Sequence, residues 1–415
     1  MTKQQQQYRL MSWVVFFLVP FSGVCVDVYV PSLPHVVSAL GVSQTLVQLT
    51  IPAFSFGVAF GQLIVGPISD AVGRRSLMIL GALLQIFVLY AIVLSDSIAF
   101  IIACRVLQGA FLSLLVVPAR AILSDIYSGG VLKNKILLMT VFWSLGPIIA
   151  PVIGGYLQHA FNWHAPFYFM LAYDVVILCL VIFFIKETRL NKTEFSFRRL
   201  RSDYAMLLGD SRVLSTIFMI GVLISYMLLF NLVSPFFVQQ VFGYSSIVYG
   251  RVALLIGLAW FVGSLLARKL NTFPDRPRTL LTFSFIIVAV STVAALSYHF
   301  GLQLWLLLLL GASVALLGGS LSPTLMANAM QLYERIPATL NALLFSGVWM
   351  VAAFITAMAS FLKTHSLLPM ALCYLVSTVL AFVVYCVYYT KKHKPWRQQP
   401  IKNRHSVMNQ QCKAL

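Results

Sequence analysis

The chain has 415 residues, 60% of them hydrophobic and 10% charged, and a mean hydropathy of +0.90. A soluble domain carries roughly 25% charged residues, so this composition excludes an ordinary soluble protein and places most of the chain in lipid. Twenty-nine Lys and Arg against eleven Asp and Glu give a net charge of +18. In a soluble chain that excess suggests nucleic acid. Here the basic residues gather in particular connections, the pattern of loops held on the inner side of a membrane beside anionic lipid headgroups.

The first ten residues, MTKQQQQYRL, put two basic side chains ahead of an apolar run of helical length. The run contains an acid and no small-residue cleavage site, so it is read as a retained first span rather than a signal peptide. Runs of the ~20 residues needed to cross hydrocarbon then recur, giving twelve expected spans. They lie at about 11–33, 46–66, 76–95, 98–120, 135–157, 165–186, 212–238, 247–268, 279–299, 302–330, 338–362 and 367–389. The connections alternate in charge. One set holds Arg74 and Arg75, Lys133 and Lys135, the cluster from Lys186 to Arg212, Arg268 to Arg278, and Arg335; the other holds little beyond His35, Asp96, His159, His164 and His299, with Lys363 and His365 the main exception. Both termini are therefore expected in the cytoplasm.

The expected layout is a six-helix bundle over 1–186, a basic linker over 187–211, a second six-helix bundle over 212–390 and a basic tail over 391–415. Phe195, Phe197 and Leu200 among basic residues suggest an amphipathic helix on the inner membrane surface. The six cysteines, Cys25, Cys104, Cys179, Cys373, Cys386 and Cys412, show no CxxC spacing, which argues against a metal site or disulfide framework. The histidines are scattered with no HExxH and there is no P-loop, so no metal, no cofactor, no ATP-driven step and no enzyme activity are expected.

Charges inside spans are costly and need a reason. Asp27, in CVDVYVPSLP, lies about 9 Å along the first helix from Leu33, and Arg105, in CRVLQG, lies at a similar depth in the fourth. Such a pair either forms a permanent ion pair that fixes packing or serves proton exchange. Burial and a neighbouring arginine pull a carboxyl's proton affinity in opposite directions. Arg105 binding an anionic substrate directly is a third reading. Asp174, in the sixth span, is a candidate second acid, for protons or substrate, or a buried partner of Tyr or Arg.

Between the second and third spans stands GPISDAVGRR, with Gly66, Asp70, Gly73, Arg74 and Arg75. The glycines are expected to permit close helix approach and a tight turn. The fifth span reads SLGPIIAPVIGG. Its Gly146, Ala150 and Gly154 make a stripe for close helix packing, and Pro147 and Pro151 bend the helix. Trp143, Tyr226 and Phe230 with Asn231 are expected to line a central cavity, although any one aromatic also suits ordinary packing. Aromatic faces attract cations.

Together DVYVPSLP, GPISDAVGRR, RVLQG and APVIGG resemble the twelve-span drug:proton antiporters of the major facilitator superfamily, including the Bcr/CflA group of bacterial multidrug exporters. The likeness covers the first half closely and the second mainly by layout, where Ala267 stands in place of an expected aspartate. It implies an all-α membrane protein of the major facilitator fold, exporting lipophilic or cationic drugs across the bacterial inner membrane by proton-coupled alternating access. It implies that Asp27 and Arg105 are the coupling residues. Gly66, Asp70, Gly73, Arg74 and Arg75 would belong to a cytoplasmic gate joined by Asp125, which reads equally as a solvated loop acid. Gly146, Pro147, Pro151, Gly154 and Gly155 would form the antiporter-motif helix. The implied partners are a small-molecule substrate, protons and membrane lipids, with no nucleic acid, and the chain is expected to act as a monomer. A narrow-substrate carrier for a siderophore or metabolite is the competing function.

Overall fold

The computed structural model describes residues 2–189, 197–270, 272–333, 336–362 and 366–389. Among these are twelve helices long and apolar enough to cross a membrane. In order they are Lys3–Leu40, Gln44–Val72, Arg74–Val93, Ile98–Ile126, Gly129–Ala160, Ala165–Phe184, Ser211–Val241, Ser246–Leu270, Asp275–Phe300, Leu304–Met330, Ala338–Ala359 and Leu368–Val387. Several run past the expected limits: the first starts at Lys3 and the fifth at Gly129, because their polar first turns continue the helix beyond the apolar run that marked it.

Span 1 is segmented. Its helix breaks after Leu18 next to Pro20, resumes over Phe21–Asp27, passes through a short 3-10 turn at Val30–Ser32 and continues over Leu33–Leu40. Pro20, Pro31 and Pro34 remove backbone donors at these joints. Asp27 thus ends a helical segment in the middle of a span, where irregular backbone is tolerated only inside protein.

Spans 1–6 and spans 7–12 repeat one packing pattern that the sequence does not advertise. Span 2 packs on span 4, span 3 on spans 4 and 6, and span 1 on span 5. Correspondingly span 8 packs on span 10, span 9 on spans 10 and 12, and span 7 on span 11. The two sets meet through span 2 against span 11 and span 5 against span 8. The tight 2–4 crossing depends on absent side chains: a Cβ on Gly57 would strike the Val106 carbonyl, and one on Gly109 the Phe54 carbonyl. The close approach expected at Gly66 is not found, since a Cβ there would meet nothing within 4 Å; backbone contact on that span falls at Gly57 and Gly61, which face span 4.

A short helix, Phe197–Leu208, joins the two sets. Leu207 is fully buried and the Tyr204 hydroxyl donates to the Leu63 carbonyl at 2.7 Å, tying this helix to span 2. Burial pushes the Tyr204 hydroxyl pKa up to about 12. Phe195 and the tail after Tyr389 lie outside the described residues.

Candidate transport site and its two ends

The end of the molecule that carries the basic connections is organised by Arg74, which is 5% exposed. Its Nη2 lies 2.5 Å from Asp70 Oδ1 and its Nε 3.2 Å from Asp125 Oδ2, while Nη1 donates to Ser69 Oγ at 2.8 Å. The planar fork can serve three acceptors at once, which a lysine cannot. Gly73 turns the chain with φ +114°, a region side chains rarely enter. Glu187 completes the cluster. Its carboxylate accepts from the backbone N–H groups of Arg74 and Arg75 at 2.9 and 3.1 Å, capping the start of span 3. The neighbouring Thr188 hydroxyl donates to Asp125 at 2.7 Å. The structure therefore brings Asp70, Gly73, Arg74, Arg75 and Asp125 together and leaves Gly66 outside. Sequence reasoning missed Glu187; its signal was an acid directly after span 6, inside an otherwise basic run.

Near the opposite, far end, Asp27 is 4% exposed and accepts a hydrogen bond of 2.6 Å from Asn231 Nδ2 of span 7. Three more contacts cross there between the two sets of spans. Gln48 donates to the Leu232 carbonyl, Gln239 to the Pro31 carbonyl and Ser246 to the Gly155 carbonyl, each at 2.9 Å. Asn231, expected as a cavity-lining residue, is instead the donor that joins Asp27 to the second set.

Arg105 is fully buried and forms no ion pair with Asp27. Its Nη1 donates to the Cys25 carbonyl at 3.0 Å and to Gln108 Oε1 at 2.6 Å, and its guanidinium carbon stands 4.7 Å from the Phe54 ring centroid. The physical reason is the break in span 1: Cys25 lies in the last turn of the segment ending at Asp27, where carbonyls lack helical partners and attract a cation. Asp174 is fully buried, and neither carboxylate oxygen has a hydrogen-bond partner among the described residues. Arg105 Nε and Nη2 are also unpartnered.

Span 5 shows why its small-residue stripe matters. A Cβ on Gly146 would meet the Pro20 carbonyl, one on Gly154 the Val28 backbone and one on Gly155 the Ser246 carbonyl. Pro147 packs against Gly23 and Pro151 against Gly250. The stripe thus seats span 1 on one side and span 8 on the other, but only toward the far end. No residue from 129 to 145 is buried, so spans 5 and 8 part toward the basic end.

Between the two sets lies a narrow cleft, lined by Ser22, Gln62, Ser113, Arg120, Trp143 and Trp349 with the apolar Phe54, Val58, Leu112 and Val116. Trp143 Nε1 donates to Ser22 Oγ at 2.9 Å. Tyr226 and Phe230 do not line this cleft. Tyr226 is 1% exposed with its hydroxyl 2.6 Å from Thr378 Oγ1 and its ring edge-on to Tyr374, and Phe230 packs against Gly311. Hydrogen-bonding partners and small residues inside the second set draw both rings into its core.

Twelve spans in two matching sets around a central cleft define a membrane transporter rather than an enzyme. Residues 15–357 match the family model of the Major Facilitator Superfamily, and the chain belongs to that family. Among curated relatives, a bicyclomycin resistance protein homolog of Haemophilus influenzae is 26% identical over 378 residues, covering 90% of this chain and 93% of that protein. Multidrug resistance protein D of Escherichia coli is 26% identical over 343 residues, covering 82% and 86%. A crystal structure of a D-xylose-proton symporter, 12% identical, superposes with a TM-score of 0.73 over 91% of this chain and 97% of that one, a likeness of fold.

Proposed function

We propose that this chain is a proton-coupled exporter of lipophilic, drug-like compounds, working by alternating access in a bacterial inner membrane. The basic end then faces the cytoplasm with both termini, 1–186 and 212–390 are the moving bundles, 187–211 links them, and the protein acts as a monomer. The resistance proteins among its relatives support the substrate class. One observation carries the coupling: the buried carboxyl of Asp27 is itself a bond between the bundles, through Asn231.

A proton arriving at Asp27 alters the strength of that bond, so protonation and the closure of the far end are thermodynamically linked. Substrate in the cleft biases the same equilibrium, and exchange results when proton and substrate favour opposite steps. Arg105, bonded to the Cys25 carbonyl just ahead of Asp27, sets the backbone from which Asp27 projects. Asp174, with two unpartnered oxygens, is the candidate second acid. Of the lipophilic and cationic substrates expected, the cleft favours the lipophilic, since among its lining residues the charged one is Arg120, a cation.

Expression in cells stripped of their own exporters tests this reading. Preloaded lipophilic dye should leave faster in expressing cells, and a protonophore should abolish the difference. No efflux of any compound in a broad panel would reject it in favour of a narrow-substrate carrier.

A further inference from the structure

Arg120 is a cation in the wrong place for a loop anchor. It lies on span 4 about four turns from Arg105, and it lines the central cleft with its guanidinium carbon 4.5 Å from the ring centroid of Phe345 on span 11. The nearby acids are already engaged. Asp125, little more than one turn further along span 4, is taken by Arg74 and Thr188, and Asp70 is taken by Arg74. Among the described residues Arg120 forms no ion pair. An unpaired charge at membrane depth is expensive and calls for a partner.

The surroundings say what that partner is. Trp143 and Trp349 line the cleft beside Arg120 together with Gln62, while the Ser22 and Ser113 hydroxyls there are already hydrogen-bonded within the protein. Indole side chains suit a flat apolar body once the cleft opens, and a planar anionic head matches the guanidinium fork in two parallel hydrogen bonds. We propose that the cleft takes lipophilic organic anions, an aromatic body with one acidic head, and that Arg120 is the residue that binds the head. The assignment rests on the transporter reading above, in that it places the cleft on the substrate's path, and it names the substrate class.

The test is calorimetric titration of the purified full chain in detergent free of anionic lipid, with 2-naphthoate, 2-naphthamide and 2-naphthylmethylammonium as probes. These share one aromatic body and differ in charge. The expected result is naphthoate binding at least about tenfold tighter than either of the others, the scale of a hydrogen bond to a charged group. In Arg120→Gln naphthoate should fall to the amide's affinity, while Arg120→Lys, which keeps the charge without the planar fork, should retain part of the anion preference. Equal or tighter binding of the amide or the ammonium to the wild type would overturn the proposal without recourse to any variant. So would binding of none of the three, or an anion preference that survives in Arg120→Gln. Added phosphatidylglycerol that displaces naphthoate completely at low mole fraction would identify a lipid headgroup as the occupant and likewise overturn it. Absence of anion preference in the wild type, with protonophore-sensitive efflux of neutral dyes intact, removes this assignment and leaves the transport reading standing. Naphthoate binding without any such efflux does the reverse.

Discussion

Asn231 of span 7 donates to Asp27 of span 1 across 2.6 Å, so the buried carboxyl of the first half is held by the second half. A typical intramolecular hydrogen bond contributes about 0.5–1.5 kcal/mol. Asn231→Ala should therefore raise the population with the far end parted by about two- to tenfold. Spin labels placed on spans 1 and 7 near that end would read it as a shift toward longer distances. An unchanged distance distribution would show that the other three crossing bonds, from Gln48, Gln239 and Ser246, hold the end closed without it.

The glycines divide into those with a neighbour and those without. Gly154→Leu drives a side chain into the Val28 backbone, and overpacking of this kind costs about 1–3 kcal/mol; loss of transport with reduced yield of folded protein is expected. Gly66→Ala meets open space and should leave yield and thermal midpoint unchanged. Equal effects of the two on thermal midpoint would contradict the packing described.

Glu187 holds the first turn of span 3. Glu187→Gln keeps the shape and loses the charge, and Glu187→Ala loses the cap; the latter should cost about 0.5–2 kcal/mol. Buried Cys25 and Cys104 provide the readout, since a thiol-reactive dye reports their exposure on heating. The order of midpoints should run wild type, Glu187→Gln, Glu187→Ala.

Asp210, outside the spans, offers a pH test. Burial presses its carboxyl pKa upward, but hydrogen bonds from Arg212 and the Tyr333 hydroxyl outweigh burial and hold it below the usual carboxylate value. A depressed carboxyl stabilises the fold fully above its unfolded value of about 4, and the contribution disappears as pH falls through the lower folded value. The thermal midpoint of Asp210→Asn should lie below wild type at neutral pH, and the gap should narrow only under acid conditions below about pH 4. A gap that widens with acid would reverse the assigned sign.

Much of this was legible in the sequence, for identifiable reasons. Apolar runs separated by charged connections gave the twelve helices, because lipid forces backbone bonds inside each span. Asp70, Gly73 and Arg74 were readable because a turn and opposed charges between two spans have few other uses. The partners were not. Nothing in sequence spacing says that Asp27 meets Asn231, 204 positions away, or that Arg105 binds a carbonyl freed by the break in span 1. Tyr226 and Phe230 looked like cavity residues, but periodicity does not say which face of a wholly apolar helix turns inward. Glu187 was passed over because its neighbours are basic. The repeat between halves is carried by packing and close glycine contacts rather than by matching residues, as Ala267 shows by standing where a charge was expected.

The most direct test of proton coupling through Asp27 uses purified protein in liposomes with an imposed pH gradient and a lipophilic compound that the wild type moves. Asp27→Asn keeps an oxygen to accept from Asn231 and removes the ionisable group. Gradient-driven movement in the wild type that vanishes in Asp27→Asn, with the compound still bound, is the result predicted here. Movement against the compound's own gradient that continues in Asp27→Asn at the wild-type rate would contradict the account.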